Sequence, residues 1–274
     1  MNLSADDGRS GRRDGWRPAL VALDIDGTLL GWEEPISPAV LDAVRHTAGS
    51  GVPVVIATGR AVFGTEPVLE ELALPDGVAV CSNGAVTVSH MPVEVTSALT
   101  FDARPAVSAL LTAVPSALVA VEVVGKGYRV SRHFPEGEIS GDISVEPVES
   151  LVAEPVTRVV IRDPDASAEQ FAELAEGLGL HGINYFVGHT AWLDLAPVGV
   201  SKASALADIA RDLGVDAADV LAIGDGHNDL EMLTWAGRGV AMGDAPLSVQ
   251  EVADDVTETL DRDGVALELS RWFG

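Results

Sequence analysis

The organisation of this chain follows from one segment, Ala19-Leu20-Val21-Ala22-Leu23-Asp24-Ile25-Asp26-Gly27-Thr28. An apolar run followed by two carboxylates one residue apart and a Gly-Thr turn predicts a buried strand that ends in both acids. Side chains alternate along a strand, so Asp24 and Asp26 are expected on one side and Ile25 on the other. Ligands bind at this edge of open α/β sheets, and two carboxylates there attract a hard cation such as Mg²⁺.

Beyond this segment, strand and helix patterns alternate and predict an α/β fold with a doubly wound, mostly parallel, Rossmann-like core sheet. Ser37-Pro38 is a helix-start signal, and buried runs end at Ala57 and Cys81, which completes a βαβαβ series. The alternation returns in the last third of the chain. Further strands are expected there at 191–195, 220–223 and 238–242.

The middle of the chain has a different character. Short alternating runs separated by glycines predict strands in pairs, and helices are expected near 103–114 and 166–178. This pattern predicts an α+β cap domain inserted into the core. The predicted division is a flexible tail at 1–16, a core domain formed by 17–84 and 189–274, and a cap domain at 85–188.

The composition of the 274-residue chain limits its partners and its compartment. A formal net charge of −25 and a pI near 4.3 argue against binding to nucleic acid or to an anionic membrane. The lone cysteine, Cys81, rules out an intrachain disulfide and favours a reducing compartment. Apolar runs stay short of the roughly 18 residues that a membrane span needs, so we expect a cytoplasmic protein. The sequence leaves the oligomeric state open.

Two further elements carry groups that suit a phosphate. Thr58-Gly59 follows a buried strand, where a hydroxyl and a free amide can hold a phosphate oxygen. Lys202 stands in the first turn of a predicted helix and is a mobile point charge suited to phosphate. Each feature alone is also common in turns and helix caps, so the prediction rests on their combination and order.

A second acidic pair stands near the end of the chain, in the run Gly224-Asp225-Gly226-His227-Asn228-Asp229. Asp225 is expected at a strand end and Asp229 in the helix turn that follows. Together with Asp24 they are expected to complete a divalent-metal site. The pair also suits a helix N-terminus without any ion, and the residues alone leave that alternative open. Asp194, near the return from the cap, is a candidate to orient Lys202.

In this order the motifs resemble those of the haloacid dehalogenase-like hydrolase superfamily. The motifs are Asp24-Ile25-Asp26-Gly27-Thr28-Leu29, Thr58-Gly59-Arg60, Lys202 and Gly224-Asp225-Gly226-His227-Asn228-Asp229. Further segments are similar to the Cof-type sugar phosphatases, whose class IIB cap follows the third core strand. These segments are Ser82-Asn83-Gly84-Ala85, Gly199-Val200-Ser201-Lys202, Glu231-Met232-Leu233, Val240-Ala241-Met242-Gly243 and Asp263-Gly264-Val265-Ala266. The resemblance extends from Ala19 to the C-terminus.

The resemblance implies a Mg²⁺-dependent phosphatase, a phosphoric monoester hydrolase acting on a small phosphorylated metabolite and in the first place a sugar phosphate. Asp24 would attack phosphorus and become a transient phospho-aspartate. Asp26 would protonate the leaving alcohol and then activate the hydrolytic water.

The resemblance also implies two sets of binding residues. Mg²⁺ would lie among Asp24, the backbone carbonyl of Asp26, and Asp225, with Asp229 in support. The transferring phosphoryl oxygens would be held by Thr58, Gly59, Lys202 and Asn228. Specificity is expected to lie in the cap, which can close over the site and exclude water.

Two other functions remain open on the sequence. The same motifs serve a phosphoryl transferase or phosphomutase, in which the acceptor is a sugar hydroxyl instead of water. A non-catalytic phosphometabolite-binding protein is the second alternative, although intact Asp24, Asp26, Lys202 and Asp225 argue against it. A flavin or nucleotide phosphate would satisfy the same core as a sugar phosphate. No Walker-type loop or G-x-G-x-x-G motif follows a strand, so a nucleotide cofactor is not expected.

Overall fold

The computed structural model of the chain describes residues 15–31, 34–90, 92–178, 183–187 and 192–274. The predicted flexible tail at 1–16 lies almost wholly outside the described residues. Its last residue, Trp16, donates from its indole Nε1 to the carbonyl of Ala218 at 2.9 Å and packs edge-on against Trp272. Within the described ranges, no helix combines the length and apolar character that a membrane span requires.

The secondary structure alternates between strands and helices along most of the chain. The strands, numbered in chain order, are β1 (Leu20–Leu23), β2 (Val54–Ala57), β3 (Gly77–Cys81), β4 (Val86–His90), β5 (Glu94–Ala98), β6 (Leu118–Val123), β7 (Gly127–Val130), β8 (Asp142–Val145), β9 (Val159–Arg162), β10 (Ile183–Val187), β11 (Trp192–Pro197), β12 (Val220–Gly224), β13 (Arg238–Ala241) and β14 (Asp255–Val256). The helices are α1 (Pro38–Gly49), α2 (Val62–Leu72), α3 (Arg104–Ala113), α4 (Val148–Leu151), α5 (Ala168–Gly177), α6 (Lys202–Leu213), α7 (Leu230–Trp235), α8 (Leu247–Gln250) and α9 (Gly264–Phe273).

The first sheet contains the apolar run that precedes Asp24. Its strand order is β14-β13-β12-β1-β2-β3-β4-β5, parallel from β14 to β3 and antiparallel at β4 and β5. The apolar run of β1 is buried throughout, and β1 lies between β12 and β2. The carboxyl ends of these three strands therefore meet at one edge. This arrangement confirms the predicted α/β class with a doubly wound, mostly parallel core.

The second sheet is formed by the middle of the chain. Its order is β10-β11-β9-β6-β7-β8, and its pairs are antiparallel except for β7 with β8. Val107 and Leu110 of α3 and Phe171 of α5 pack against Val119 and Ile161 of the sheet in an apolar core. The mixed helix and strand layer that the sequence predicts for the insert is confirmed.

The sheet pairing runs across both predicted domain boundaries. β4 and β5 lie within 85–188 but pair in the first sheet, because the turn at Ser82–Gly84 folds β4 back onto β3. The strand expected at 191–195 as part of the core belongs instead to the second sheet, where β11 lies between β9 and β10. The pairing differs from the prediction because periodicity identifies an extended segment but does not identify the strands with which it pairs. The domain division itself stays a prediction.

Local signals set the start of two helices of the core. Ser37 caps α1 by accepting from the Val40 amide at 3.2 Å, as the Ser-Pro signal predicts. Ser201 and Ser204 cap α6 reciprocally: the Ser204 amide donates to Ser201 Oγ at 3.3 Å, and the Ser201 amide donates to Ser204 Oγ at 2.9 Å. This cap makes Lys202 the first residue of α6.

Candidate active site

The two carboxylates after β1 have different surroundings. The regular strand ends at Leu23, and a tight turn begins at the carbonyl of Ile25. Asp24 is buried, whereas the side chain of Asp26 is 50% exposed. The Asp26 carboxylate accepts from Arg60 Nε at 2.9 Å. Asp26 is therefore the more solvent-accessible carboxylate of this pair.

Lys202 is fully buried and joins two carboxylates that are distant in sequence. Its Nζ donates to Asp24 Oδ1 at 2.6 Å and to Asp229 Oδ1 at 2.7 Å. Although burial alone would lower it, the charges of Asp229 and Asp24 raise the pKa of the Lys202 ammonium. The other oxygen of Asp229 accepts from the amides of Asp225 and Gly226 at 3.0 and 2.9 Å. Asp229 thus holds both the lysine and the loop after β12.

Asp225 reaches the same place from the end of β12. Thr28 Oγ donates to Asp225 Oδ1 at 3.3 Å and so links the turn after β1 to the loop after β12. Gly27 has a φ of 79°, and a side chain at this position would overlap the Asp225 carboxylate. The Asp-Gly-Thr turn therefore leaves the space in which Asp225 approaches Asp24.

Three carboxylates gather at this edge of the first sheet. Oxygens of Asp24, Asp225 and Asp229 lie within 4.8 Å of one another. Burial, and next the charge of Asp229, raise the pKa of Asp24 well above its ordinary value and the pKa of Asp225 to about 7. Among the described residues, Lys202 is the cation in direct contact with this group. The excess of negative charge and the all-oxygen donor set both fit a hard divalent cation.

The predicted phosphate-binding residues lie near the ends of β2 and β12. Thr58 is buried, and its Oγ accepts from the Arg60 amide at 3.0 Å. A side chain at Gly59 would come to 3.1 Å from Asn83 Oδ1 and 3.3 Å from Asn228 Nδ2. Asn228 Nδ2 donates to Asn83 Oδ1 at 3.0 Å. The structure therefore places Gly59 and Asn228 side by side, while their role toward a phosphate stays a prediction.

Sequence reasoning assigns no role to Arg60 or Asn83, although both stand in motifs that carry the resemblance. Arg60 pairs with Asp26 and Asn83 with Asn228, across 34 and 145 residues of sequence. One signal was available, because both residues closely follow strands whose carboxyl ends lie at the same sheet edge as Asp24. Their partners become visible only in the folded chain.

Asp194 does not orient Lys202, so this sequence prediction was wrong. Asp194 lies in β11 of the second sheet, and its two oxygens accept from Arg158 Nε and Nη2 at 2.8 and 2.9 Å. Arg158 Nη1 also donates to the hydroxyl of Tyr128 at 2.9 Å. The prediction assumed that 191–195 belongs to the core sheet, and the antiparallel pairing of β11 with β9 removes that assumption.

Comparison with known proteins agrees with the fold. The sequence model of the haloacid dehalogenase-like hydrolase family matches residues 21–269. The 5-amino-6-(5-phospho-D-ribitylamino)uracil phosphatase YcsE of Bacillus subtilis is 30% identical over 253 residues, 92% of this chain and 95% of the relative. A phosphoglycolate phosphatase of Methanoculleus marisnigri is 27% identical over 254 residues, 91% of this chain and 94% of its own length.

Solved structures give the same picture. A phosphatase of the haloalkanoate superfamily from Bacteroides thetaiotaomicron is 28% identical, with a TM-score of 0.77 and 98% of each chain covered. A sugar phosphatase of subclass IIB superposes with a TM-score of 0.77 over 92% of this chain and 98% of its own. At 21% identity, the second likeness concerns the fold alone.

The chain belongs to the haloacid dehalogenase-like hydrolases. Its matching region spans both sheets and includes the segments that carry the resemblance. It is a phosphoric monoester hydrolase of this family, as its phosphatase relatives indicate.

Proposed function

We propose that this chain is a Mg²⁺-dependent phosphatase that hydrolyses a small phosphorylated metabolite through a phospho-aspartate intermediate. One observation carries the proposal: the buried Asp24 carboxylate is held by Lys202 at 2.6 Å within a group of three acidic side chains. The restricted rotation of this carboxylate supports its role as the group that attacks phosphorus.

Asp24, Asp225 and the backbone carbonyl of Asp26 would hold the Mg²⁺, with Asp229 supporting them through Lys202 and the loop amides. When bound, this ion would offset the negative charge of the carboxylates and of the phosphoryl group. Asp24 would then be ionised at neutral pH, since a nearby cation opposes the burial and the Asp229 charge that raise its pKa.

The reaction has two steps at phosphorus. Asp24 forms an O–P bond as the bond from phosphorus to the leaving oxygen breaks, and Asp26 donates a proton to that oxygen. Asp26 then takes a proton from a water molecule whose oxygen attacks the phospho-aspartate, which releases phosphate and regenerates Asp24. The half-exposed Asp26, held by Arg60, suits a group that exchanges protons with both substrate and water.

The transferring phosphoryl oxygens would be held by the Thr58 hydroxyl, the Gly59 amide, the Lys202 ammonium and the Asn228 side-chain amide. These groups are positive or dipolar, and donors of this kind stabilise developing charge when they are held in place before the reaction. The missing side chain at Gly59 would let a phosphoryl oxygen approach the backbone closely.

We propose a polyhydroxylated leaving group, such as a sugar or a sugar alcohol phosphorylated on a primary hydroxyl. The support is that two Bacillus subtilis relatives, at 30% and 27% identity, act by name on a 5-phospho-D-ribitylamino compound. We place the enzyme in the cytoplasm, where phosphorylated metabolites occur and the free thiol of Cys81 stays reduced. A phosphate-release screen over sugar phosphates, ribitol 5-phosphate, phosphoglycolate, nucleotides and flavin mononucleotide tests the substrate class.

The central test is the variant Asp24→Asn, assayed with p-nitrophenyl phosphate and Mg²⁺. Removing the nucleophile is expected to lower kcat by about 10⁴-fold or more, with the circular dichroism spectrum unchanged. Asp208→Asn is the matched control, because Asp208 is an exposed carboxylate on α6 that pairs with Arg211. Parental turnover in Asp24→Asn would refute the nucleophile assignment.

A product analysis separates hydrolysis from phosphoryl transfer. In ¹⁸O-labelled water, hydrolysis of the phospho-aspartate puts one labelled oxygen into each inorganic phosphate. A transferase or phosphomutase would instead move the phosphoryl group to a sugar hydroxyl, so a phosphorylated sugar product without labelled phosphate would overturn the phosphatase proposal.

A further inference from the structure

The turn after β3 has an unusual backbone. Ser82 and Asn83 have φ values of 51° and 53°, and Gly84 follows with a φ of 100°. Non-glycine residues in the left-handed region cost free energy and persist where their surroundings hold them, often at functional sites. Two consecutive residues of this kind therefore raise the question of what holds the turn.

The second sheet supplies the contacts that hold it. Ser82 Oγ donates to Glu122 Oε2 of β6 at 2.7 Å. Asn83 Nδ2 donates to Asp194 Oδ2 of β11 at 3.4 Å, and both residues are buried. Each of the two strained residues of the turn is thus bonded to a different strand of the second sheet.

The partner of Asn83 determines which way its amide points. Asp194 is paired with the buried Arg158 guanidinium through both of its oxygens, so it acts as a hydrogen-bond acceptor. The Asn83 NH₂ group must therefore face Asp194, because a carbonyl oxygen there would oppose the carboxylate. Its Oδ1 consequently faces the other way.

This orientation is passed on to Asn228. The Asn83 Oδ1 is an acceptor, so the NH₂ group of Asn228 and not its oxygen must turn toward it, as the 3.0 Å bond records. Gly59 lies against both amides, since a side chain there would approach Asn83 Oδ1 to 3.1 Å and Asn228 Nδ2 to 3.3 Å. The amide of Asn228 is thereby fixed with an N–H group beside Gly59.

We propose that Asn83 is a positioning residue through which the Arg158–Asp194 pair of the second sheet fixes the amide of Asn228 in the active site. The inference rests on the proposed function, in which Asn228 donates to a phosphoryl oxygen. Correct docking of the second sheet would then be a condition for a correctly oriented phosphate site.

A double-mutant cycle tests the proposal. Asn83→Gly removes the amide and suits the left-handed backbone, and Asn228→Ala removes the proposed donor. With p-nitrophenyl phosphate and Mg²⁺, we expect Asn228→Ala to lower kcat/KM on the order of tenfold to a hundredfold and Asn83→Gly by about tenfold. Because Asn83 acts through Asn228, Asn83→Gly should have almost no further effect in the Asn228→Ala background.

Ser82→Gly is the matched control. It also places glycine in the left-handed turn and removes a bond to the second sheet, but it removes no atom of the Asn83–Asn228 contact. If loosening of the turn were the cause, Ser82→Gly and Asn83→Gly would lower kcat/KM equally, and this outcome would overturn the proposal.

A second measurement needs no turnover. The chain has asparagine at positions 2, 83, 184 and 228, so a ¹⁵N-asparagine sample gives a short set of side-chain amide signals. Asn228→Ala assigns the Asn228 pair, which should shift in Asn83→Gly, remain in place in Ser82→Gly, and respond to inorganic phosphate with Mg²⁺ in the parent.

Failure of the positioning role can be distinguished from failure of the proposed function. Full turnover in Asp24→Asn, or no phosphatase activity in the parent, would sink the function but leave the amide spectra decisive for Asn83. An unshifted Asn228 signal in Asn83→Gly would overturn the positioning role. So would a double variant in which the losses of kcat/KM from Asn83→Gly and Asn228→Ala multiply.

Discussion

Two clusters of charged side chains adjoin the first sheet and differ in charge balance. The lysine cluster consists of Lys202, Asp24, Asp225 and Asp229. The arginine cluster consists of Arg238, Arg271, Asp255 and Glu268. Each surrounds a buried cation, but the lysine cluster has one cation for three carboxylates, and the arginine cluster has two cations for two carboxylates.

The difference in charge balance is reflected in the pKa values of Asp255 and Asp225. In the arginine cluster, Arg238 donates to Glu268 at 2.5 Å and to Asp255 at 2.8 Å. Although burial favours its neutral form, the hydrogen bond from Arg238 lowers the pKa of Asp255. In the lysine cluster, burial and the Asp229 charge raise the pKa of Asp225 to about 7. The arginine cluster is thus balanced in charge without a further cation, whereas the excess of negative charge in the lysine cluster fits the proposed Mg²⁺ site.

The largest effect is expected for Lys202→Met. Removal of the buried cation leaves Asp24 and Asp229 without their partner, which should cost about 3–5 kcal/mol of unfolding free energy. The loss of a phosphate-binding charge should also lower kcat/KM on the order of 10²–10³-fold. Urea denaturation and p-nitrophenyl phosphate kinetics measure the two effects. If Lys202→Met lost stability but kept its activity, the lysine cluster would act only on stability, as we expect of the arginine cluster.

Arg238→Met tests the role of the arginine cluster. We expect a loss of about 3–5 kcal/mol in unfolding free energy, since Glu268 would be left buried without its principal partner. The kcat/KM per folded molecule should stay at the parental value because the arginine cluster does not contact the site. Arg271→Met, at the more exposed edge of the cluster, is the control and should cost less than about 1 kcal/mol. A drop in kcat/KM for Arg238→Met would contradict the assignment of this cluster to stability.

Asp225→Asn should have a pH-dependent effect. The raised pKa means that folded Asp225 holds its proton up to about pH 7, whereas its ordinary value is 3.8, so the metal-free protein loses stability as pH rises between these values. Asp225→Asn should remove this loss and raise the free energy of unfolding by about 2 kcal/mol at pH 8 in EDTA, which is less than the full shift because solvent screens part of it.

Added Mg²⁺ should reverse the order of stability. Mg²⁺ at pH 8 should raise the melting temperature of the parent. It should raise the melting temperature of Asp225→Asn only slightly, because one ligand of the ion is lost. Calorimetry at pH 5 and 8, with EDTA or with Mg²⁺, measures both effects. An equal Mg²⁺ response in the two proteins would exclude Asp225 as a ligand.

The smallest effect is expected at the half-exposed pair of Asp26 and Arg60. Exposed ion pairs contribute little, so Arg60→Gln should change the free energy of unfolding by less than about 1 kcal/mol. Arg211→Gln, which breaks an exposed pair on α6, is the reference. If Arg60→Gln lowered the free energy of unfolding as much as Arg238→Met, the exposure of an ion pair would not determine its contribution to stability.

The sequence predicted the strand ends well because the signals there are local. The apolar run before Asp24 is a buried strand, and the Ser37-Pro38 signal starts α1 where expected. Once alternation identifies a parallel sheet, strand carboxyl ends must share an edge, so the gathering of Asp24 and Asp225 could also be predicted. The family and the class of reaction followed from the same residues.

The order of residues along the chain therefore determines which elements form and which acids stand at their ends. Folding in three dimensions decides the partners: Lys202 bonds to Asp24 and Asp229 rather than Asp194, and Asn83 bonds across to Asn228. The physical reason is that a hydrogen bond depends on distances of about 3 Å between atoms that lie far apart in sequence. Which strand becomes whose neighbour sets those distances, and no local pattern contains that information.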